Sequence, residues 1–207
     1  MLNTRQKVLR NFCYATLSVD KLKDGPKPFR LLGEDVVLFL GEGDAAAALG
    51  DRCCHRTAKL SKGWTKDGRI VCGYHGWEYD RAGKLHNIPQ FPPGHALPDA
   101  RAQAFHARER YGYVWVCLGE PLIDIPDLPQ ERDPAFRRIH QFDELWKCSA
   151  LRMMENSFDN SHFSFVHKGT FGDIDQPKSE KYELTVMLMR QRLNALPEAH
   201  GEREVPR

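Results

Sequence analysis

Long apolar runs are absent from the 207-residue chain. The strongest is Val36-Val37-Leu38-Phe39-Leu40, far short of the ~20 residues that cross a bilayer. Neither sign of charge dominates, since 30 Lys and Arg stand against 28 Asp and Glu, interspersed along the chain. No strong field therefore draws in nucleic acid or an anionic membrane surface. The opening MLNTRQKVLRNF lacks the apolar core of an export signal, and there is no internal repeat. A cytoplasmic protein with neither nucleic acid nor membrane as partner is expected.

What is present supports a packed core, with 41% hydrophobic residues in a chain long enough for one large domain or a domain and part of another. Up to about residue 120 the texture is β-rich, and 13 of the 16 glycines fall there. VVLFL (36–40), the turn GEGD and AAAAL (45–49) read as strand, turn, strand. Asp67-Gly68 predicts a tight hairpin between Gly63-Trp64-Thr65 and Arg69-Ile70-Val71-Cys72. Trp77-Glu78-Tyr79 leads into a second hairpin at 80–83, and Tyr113 to Leu118 is a further strand. The segment 119–134 holds four prolines and predicts an irregular connection. Beyond it, Leu151, Met154 and Phe158 recur at helical steps, predicting a helix over 150–162 with Met153, Met154 and Phe158 in its core. KYELTVMLM (181–189) reads as a strand, and the last 18 residues are polar.

Six cysteines are present, yet nothing marks a secreted disulfide framework. Cys13, Cys117 and Cys148 lie among apolar or aromatic neighbours and are expected to be buried thiols. Cys53-x-His55 and Cys72-x-x-His75 are different, because they form two arms separated by 16 residues with hairpin signals. Zinc takes two cysteines and two histidines, but its finger pattern groups like with like. Here each arm mixes the two types. Facing loops would set Cys53 opposite Cys72 and His55 opposite His75, giving one thiolate-held and one imidazole-held centre. That is the ligand logic of a Rieske [2Fe–2S] cluster.

With the flanking Asp51-Arg52, His55-Arg56, Leu60-Ser61 and Tyr74-His75-Gly76-Trp77, the stretch resembles the Rieske domain of ring-hydroxylating oxygenases. Proline commonly stands between the first two ligands in such domains; here it is Cys54, read as a small loop residue with a reactive thiol as the alternative. Gly73 and Gly76 are expected to let backbone amides approach the cluster sulfurs.

A second constellation, Asp159-x-x-His162-x-x-x-x-His167, has the two histidines that, with a carboxylate from elsewhere, make a facial triad for non-haem Fe(II) with open positions for oxygen. Helical histidines taken alone are more often core or surface. Asp159 and His162 would share a helix face. His162 and His167 would sit about 140° apart on a regular helix, so one iron requires the helix to end or distort between them. Phe163-Ser164-Phe165-Val166 is a poor helix stretch, which suits such a break. Phe158, Phe163, Phe165 and Phe171 are candidates for the start of a substrate pocket, although aromatics near a helix usually belong to core. The other histidines, His86, His95, His106, His140 and His200, have no ligand spacing.

The segment resembles that of Rieske oxygenase α subunits. The resemblance implies an α+β chain: a β-rich Rieske [2Fe–2S] domain over 8–120, a proline-rich connection over 121–134 and the beginning of a mononuclear-iron catalytic domain over 135–207. It implies Cys53, His55, Cys72 and His75 as cluster ligands and His162 and His167 as ligands of mononuclear Fe(II). Asp159 would bridge His162 and the cluster histidine (His75) of a neighbouring subunit in a homotrimer. It also implies electrons from NAD(P)H through a ferredoxin or flavin reductase, O2 as co-substrate, and a small aromatic or apolar substrate. No nicotinamide or flavin motif is present, in keeping with an external reductant. The third, carboxylate ligand is not identifiable: Asp173, Asp175, Glu180 and Glu183 are available, but none stands where the family places it. The chain thus resembles an oxygenase component cut short in its catalytic domain, with a Rieske electron-transfer protein lacking oxygenase activity as the alternative.

Overall fold

Short strands and tight turns recur up to Cys117, and the computed structural model describes residues 6–139, 144 and 146–178. The chain divides into two compact units between Ile139 and His140.

The first unit contains two antiparallel sheets. β1 (Tyr14–Ser18), β2 (Lys27–Leu31), β3 (Glu34–Leu40), β4 (Ala46–Gly50), β9 (Ala104–Arg110) and β10 (Tyr113–Cys117) form a six-stranded sheet in the order β1-β10-β9-β4-β3-β2. β5 (Trp64–Lys66), β6 (Arg69–Val71), β7 (Glu78–Tyr79) and β8 (Leu85–Asn87) form a four-stranded meander in sequence order.

The unbroken apolar run of β3 follows from burial on both faces. Val37 and Phe39 join one core cluster and Val36 and Leu38 the other. The paired strand β4 splits the same way, with Ala47 and Leu49 against Ala46 and Ala48. Its alanines, weak strand formers in isolation, are selected here for close packing on both sides. Each fully buried Leu or Phe on these strands contributes about 1.5–3 kcal/mol of transfer free energy. The first of the two clusters also contains Cys53, Leu60, Cys72 and Tyr79, so the meander and the ligand-bearing loops are anchored in the core.

The Asp67-Gly68 hairpin forms as expected. Both residues take positive φ, 48° and 69°, the requirement of a tight turn whose twist matches its strands. The second hairpin turns at Asp80, whose carboxylate accepts from the amides of Ala82 and Lys84, both at 2.9 Å. Residues 119–134 contain only a short helical turn, Pro129–Arg132. The segment is fastened to β9 by Arg108–Asp124 at 2.9 Å and Arg110–Asp127 at 3.0 Å.

The second unit departs from expectation. α1 (Ala150–Phe158) starts at Ser149, whose hydroxyl accepts from the Arg152 amide at 3.3 Å. It stops at Phe158 instead of running on to His162. The cause is local: the Asp159 carboxylate accepts from the Ser161 amide at 2.9 Å, a turn that competes with helix continuation. Residues 163–166, expected to be the break, instead form the one-turn helix α2 (Phe163–Val166). Met154 and Phe158 are exposed, Met153 is half-buried, and no α1 residue is fully buried, so the expected helix core is not seen. Cys148 is likewise exposed rather than buried, whereas Cys117 is buried and Cys13 half-buried. The strand expected at 181–189 lies outside the described residues. Among the described residues, no helix is long and apolar enough to cross a membrane.

Candidate metal centres

Each Cys–His arm is the same turn built twice. In the first, the Cys53 amide donates to the Ala58 carbonyl at 2.8 Å and the Thr57 amide donates to the Cys53 carbonyl at 3.0 Å. In the second, the Cys72 amide donates to the Trp77 carbonyl at 2.9 Å and the Gly76 amide to the Cys72 carbonyl at 2.9 Å. The fifth residue of each turn is left-handed, Thr57 at φ 58° and Gly76 at φ 72°. Glycine takes that conformation freely, while a β-branched threonine adopts it only under constraint.

The loops are held at their bases by tight backbone packing. A Cβ on Gly63 would lie 1.8 Å from the Val71 carbonyl oxygen, and one on Gly73 would lie 2.8 Å from the Lys62 carbonyl oxygen. Gly73 therefore serves loop-to-loop packing. The amides that reach the Cys72 sulfur belong to Tyr74 and His75. Buried Asp51 clamps the first loop, accepting from the Ser61 amide and hydroxyl, each at 2.7 Å.

The four side chains converge with a sharp gradient of burial. Cys53 and Cys72 are 2% and 1% exposed and belong to the same buried cluster. Burial pushes the Cys72 thiol up, against the pull of the Tyr74 and His75 amides. His55 is exposed and His75 half-buried, with ring centroids 4.8 Å apart. His55 stacks flat on Trp77 at 4.4 Å. Its imidazole is held below the ordinary histidine value by desolvation, by His75 and by Arg56, which favours the neutral, metal-binding form.

Buried Tyr79 was not singled out in the sequence as part of the site. Its hydroxyl lies 3.1 Å from the Cys53 sulfur and 3.2 Å from the Cys54 sulfur. Burial, and then these two contacts, raise the phenol well above its ordinary value, keeping it protonated and able to donate. The available signal was its place two residues after Trp77, on the strand leaving the second loop. Cys54 is exposed, as a loop residue should be.

In the second unit, His162 and His167 flank α2 with ring centroids 5.3 Å apart. Phe171 stacks on His167 at 4.5 Å and Phe163 meets His162 edge-on at 4.7 Å. The Asp159 carboxylate stands 3.7 Å from His162 Nδ1, an ion-pair distance too long for a hydrogen bond. His162 Nδ1 is buried with no hydrogen-bond partner among the described residues. Phe158, Phe165 and Phe171 are exposed. Glu155 pairs with Arg152 at 2.6 Å and is directed along α1. Of the other histidines, His86 pairs with Asp80 at 2.7 Å and His106 with Glu120 at 3.2 Å.

The first donor set fits the cluster the sequence suggests, and the second supplies two of the three ligands of a mononuclear iron among the described residues. Two buried sulfurs supplied with amide and phenol donors suit thiolate ligation, and two outward imidazoles suit a second iron. The orphaned His162 nitrogen beside a second imidazole suits a bound cation or a hydrogen bond from outside the described residues. Among the described residues, no three of His, Cys, Asp or Glu gather on a single metal-ion position. A cluster that takes two protein ligands per iron does not require such a gathering; a mononuclear facial triad does.

Residues 12–105 match the Rieske [2Fe-2S] domain, and residues 146–204 match the vanillate O-demethylase oxygenase C-terminal domain. The chain is 35% identical over 181 residues to methylxanthine N1-demethylase NdmA of Pseudomonas putida, covering 84% of this chain and 51% of that protein. It is also 35% identical over 161 residues to a vanillate O-demethylase oxygenase subunit of a Pseudomonas species, covering 74% and 47%. The solved structure of Pseudomonas putida CBB5 NdmA with caffeine aligns with a TM-score of 0.77 at 35% identity, over 86% of this chain and 54% of that one. The protein thus carries a β-rich Rieske iron–sulfur domain followed by part of an oxygenase catalytic domain. It belongs to the Rieske non-haem iron oxygenases, oxidoreductases whose cofactors are a [2Fe–2S] cluster and a mononuclear iron. The chain spans about half the length of the curated relatives it matches, 51% and 50% for the first two.

Proposed function

We propose that the chain acts as the oxygenase component of a Rieske non-haem iron system that uses O2 to hydroxylate or demethylate an aromatic or similarly apolar substrate. Electrons come from NAD(P)H through a ferredoxin or flavin reductase. The observation that carries this reading is the pair of matching loops, which bury Cys53 and Cys72 in one core cluster and bring the His55 and His75 rings to 4.8 Å. The kinship with enzymes named as methylxanthine and vanillate demethylases supports an apolar ring-bearing substrate.

In this reading Cys53, His55, Cys72 and His75 hold the cluster, and His162 and His167 hold the mononuclear iron. When bound, these groups supply one-electron transfer and activation of O2 respectively. The chain does the rest. Core packing keeps water from the two sulfurs, while Tyr79 and the amides of Tyr74 and His75 donate to them. Donors to a thiolate stabilise the reduced, more negative state and so raise the potential. His55 is held against Trp77 at the surface, where a redox partner can approach. Asp159 joins the two centres across a homotrimer interface, between His162 and the neighbouring subunit's His75, with the 159–161 turn fixing its carboxylate.

A second reading, a Rieske electron-transfer protein without oxygen chemistry, is favoured by one observation: no third ligand joins His162 and His167 among the described residues. Iron and acid-labile sulfide per chain, measured on anaerobically purified protein supplied with Fe(II), separate the two. About three irons to two sulfides support the oxygenase, and about two to two the carrier. A colourless protein holding zinc would refute both.

A further inference from the structure

We infer that Cys54 tunes the Tyr79 donor: its S–H donates to the Tyr79 oxygen and thereby strengthens the Tyr79 O–H bond to the sulfur of Cys53. The inference rests on the proposed cluster ligation and goes beyond it, because Cys54 itself binds no iron.

Proton counting sets the direction. Tyr79 has one proton and two sulfurs within reach, 3.1 Å to Cys53 and 3.2 Å to Cys54. As an iron ligand, Cys53 is a thiolate and can only accept. The Tyr79 proton therefore belongs on Cys53, where the hydrogen bond is charge-assisted. Were it turned to Cys54, a phenol lone pair would face the anionic sulfur at 3.1 Å. The contact to Cys54 still needs a proton, and the one left is that of the Cys54 thiol. The result is an ordered chain, Cys54 S–H to Tyr79 O to Cys53 sulfur, in which each bond polarises the next. Tyr79 sits at 0% exposure, so no water competes for its oxygen, whereas Cys54 is open to solvent. The buried ligand sulfur is thereby linked to a thiol that solutes can reach.

The test is the midpoint potential of the cluster in the holoprotein, with the reduced-cluster EPR signal as the second readout. Cys54→Ala should lower the potential, because the Tyr79 O–H, no longer polarised by the Cys54 thiol, donates more weakly to the Cys53 sulfur. Cys54→Ser, which restores an O–H donor, should recover most of the loss. In a Tyr79→Phe background, Cys54→Ala should change nothing. An unchanged potential in Cys54→Ala, or an equal drop in the Tyr79→Phe background, overturns the relay. The folded protein offers a second route should the variants fail to assemble. Methyl methanethiosulfonate caps an exposed thiol and dithiothreitol removes the cap, and Cys148→Ser takes away the other exposed cysteine. Capping should lower the potential reversibly; no reversible shift refutes the proposal. If wild-type protein shows no Rieske EPR signal, the ligand reading itself falls, and the relay with it. With the signal present, the potentials alone decide on Cys54.

Discussion

Gly63→Ala is the sharpest test of how the loops are held. The backbone at Gly63, φ −93° and ψ −148°, does not demand glycine, so the substitution is a steric question. The new methyl would stand 1.8 Å from the Val71 carbonyl oxygen and 3.0 Å from the Gly73 amide nitrogen. Both neighbours are backbone and cannot rotate away. An ordinary carbon–oxygen contact is about 3.3 Å, so the chains must part by roughly 1.5 Å. That separation opens the Trp64–Val71 end of the β5–β6 ladder. Two ladder hydrogen bonds cost about 0.5–1.5 kcal/mol each, and overpacking adds about 1–3 kcal/mol, giving about 2–6 kcal/mol in all. The melting temperature should fall by about 5–20 °C, and Cys72, one residue past β6, should release its iron. Gly50→Ala is the control: its Cβ meets nothing closer than Gln103 at 3.6 Å, and it should stay within about 1 kcal/mol of wild type. Both variants are to be melted at one scan rate, with iron and sulfide counted beforehand. A Gly63→Ala protein that melts within about 2 °C of wild type and keeps its iron would refute the packing argument.

Asp51→Ala removes the acceptor for the Ser61 amide and hydroxyl and should cost about 2–4 kcal/mol, read by denaturant titration; a loss below about 0.5 kcal/mol would dismiss the clamp. Thr57→Gly relieves a left-handed threonine and should stabilise the protein by up to about 1 kcal/mol with the visible spectrum unchanged, whereas a clear loss would show the side chain to be needed. Burial pushes the Asp80 carboxyl upward, but His86 and the amides of Lys84 and Ala82 outweigh it and hold it below the ordinary value. A depressed carboxyl adds stability that is complete above its unfolded value and vanishes as pH falls through the folded one. Asp80→Asn should therefore be less stable than wild type near neutrality, with the two converging below about pH 4; parallel curves would contradict this. Asp159→Ala should keep the cluster spectrum yet lose electron delivery to the mononuclear iron, and normal single-turnover transfer in that variant would end its assignment as a bridge.

The two-residue hairpin at Asp67-Gly68 and the strands at 36–40 and 113–118 were legible because turn chemistry and local burial agree there. So was the approach of His55 to His75, since mixed arms on facing loops bring like residues together. Three features depended on contacts that no spacing encodes. Tyr79 reaches the Cys53 sulfur across 26 positions of sequence. The Lys62 carbonyl leaves no room for a side chain at Gly73. The end of α1 was misplaced because apolar periodicity persists through Phe158, while the competing bond from the Ser161 amide to Asp159 leaves the apolar pattern untouched. The exposed Leu151, Met154 and Phe158 show the same limit from the other side: periodicity reveals an apolar face but not what covers it.

Why each arm should mix a cysteine with a histidine follows from repeating one turn. In both loops the cysteine opens the turn, where its amide and carbonyl close the loop and its side chain enters the core. In both, the histidine stands at or beside the tip, where a side chain meets solvent. Repetition therefore sorts the ligands by depth, with sulfurs inside and imidazoles outside. An arm of two cysteines would bring a thiolate out to the surface, and an arm of two histidines would bury an imidazole among Val37, Leu60 and Ile70 without a partner for its second nitrogen. The gradient also separates two tasks. With the proposed cluster bound, potential would be set inside, where Tyr79 and the backbone amides donate to sulfur, and electrons would pass outside, through the imidazole edge beside Trp77. A substitution at Tyr79 should then change the driving force and leave partner binding intact, whereas one at Trp77 should do the reverse.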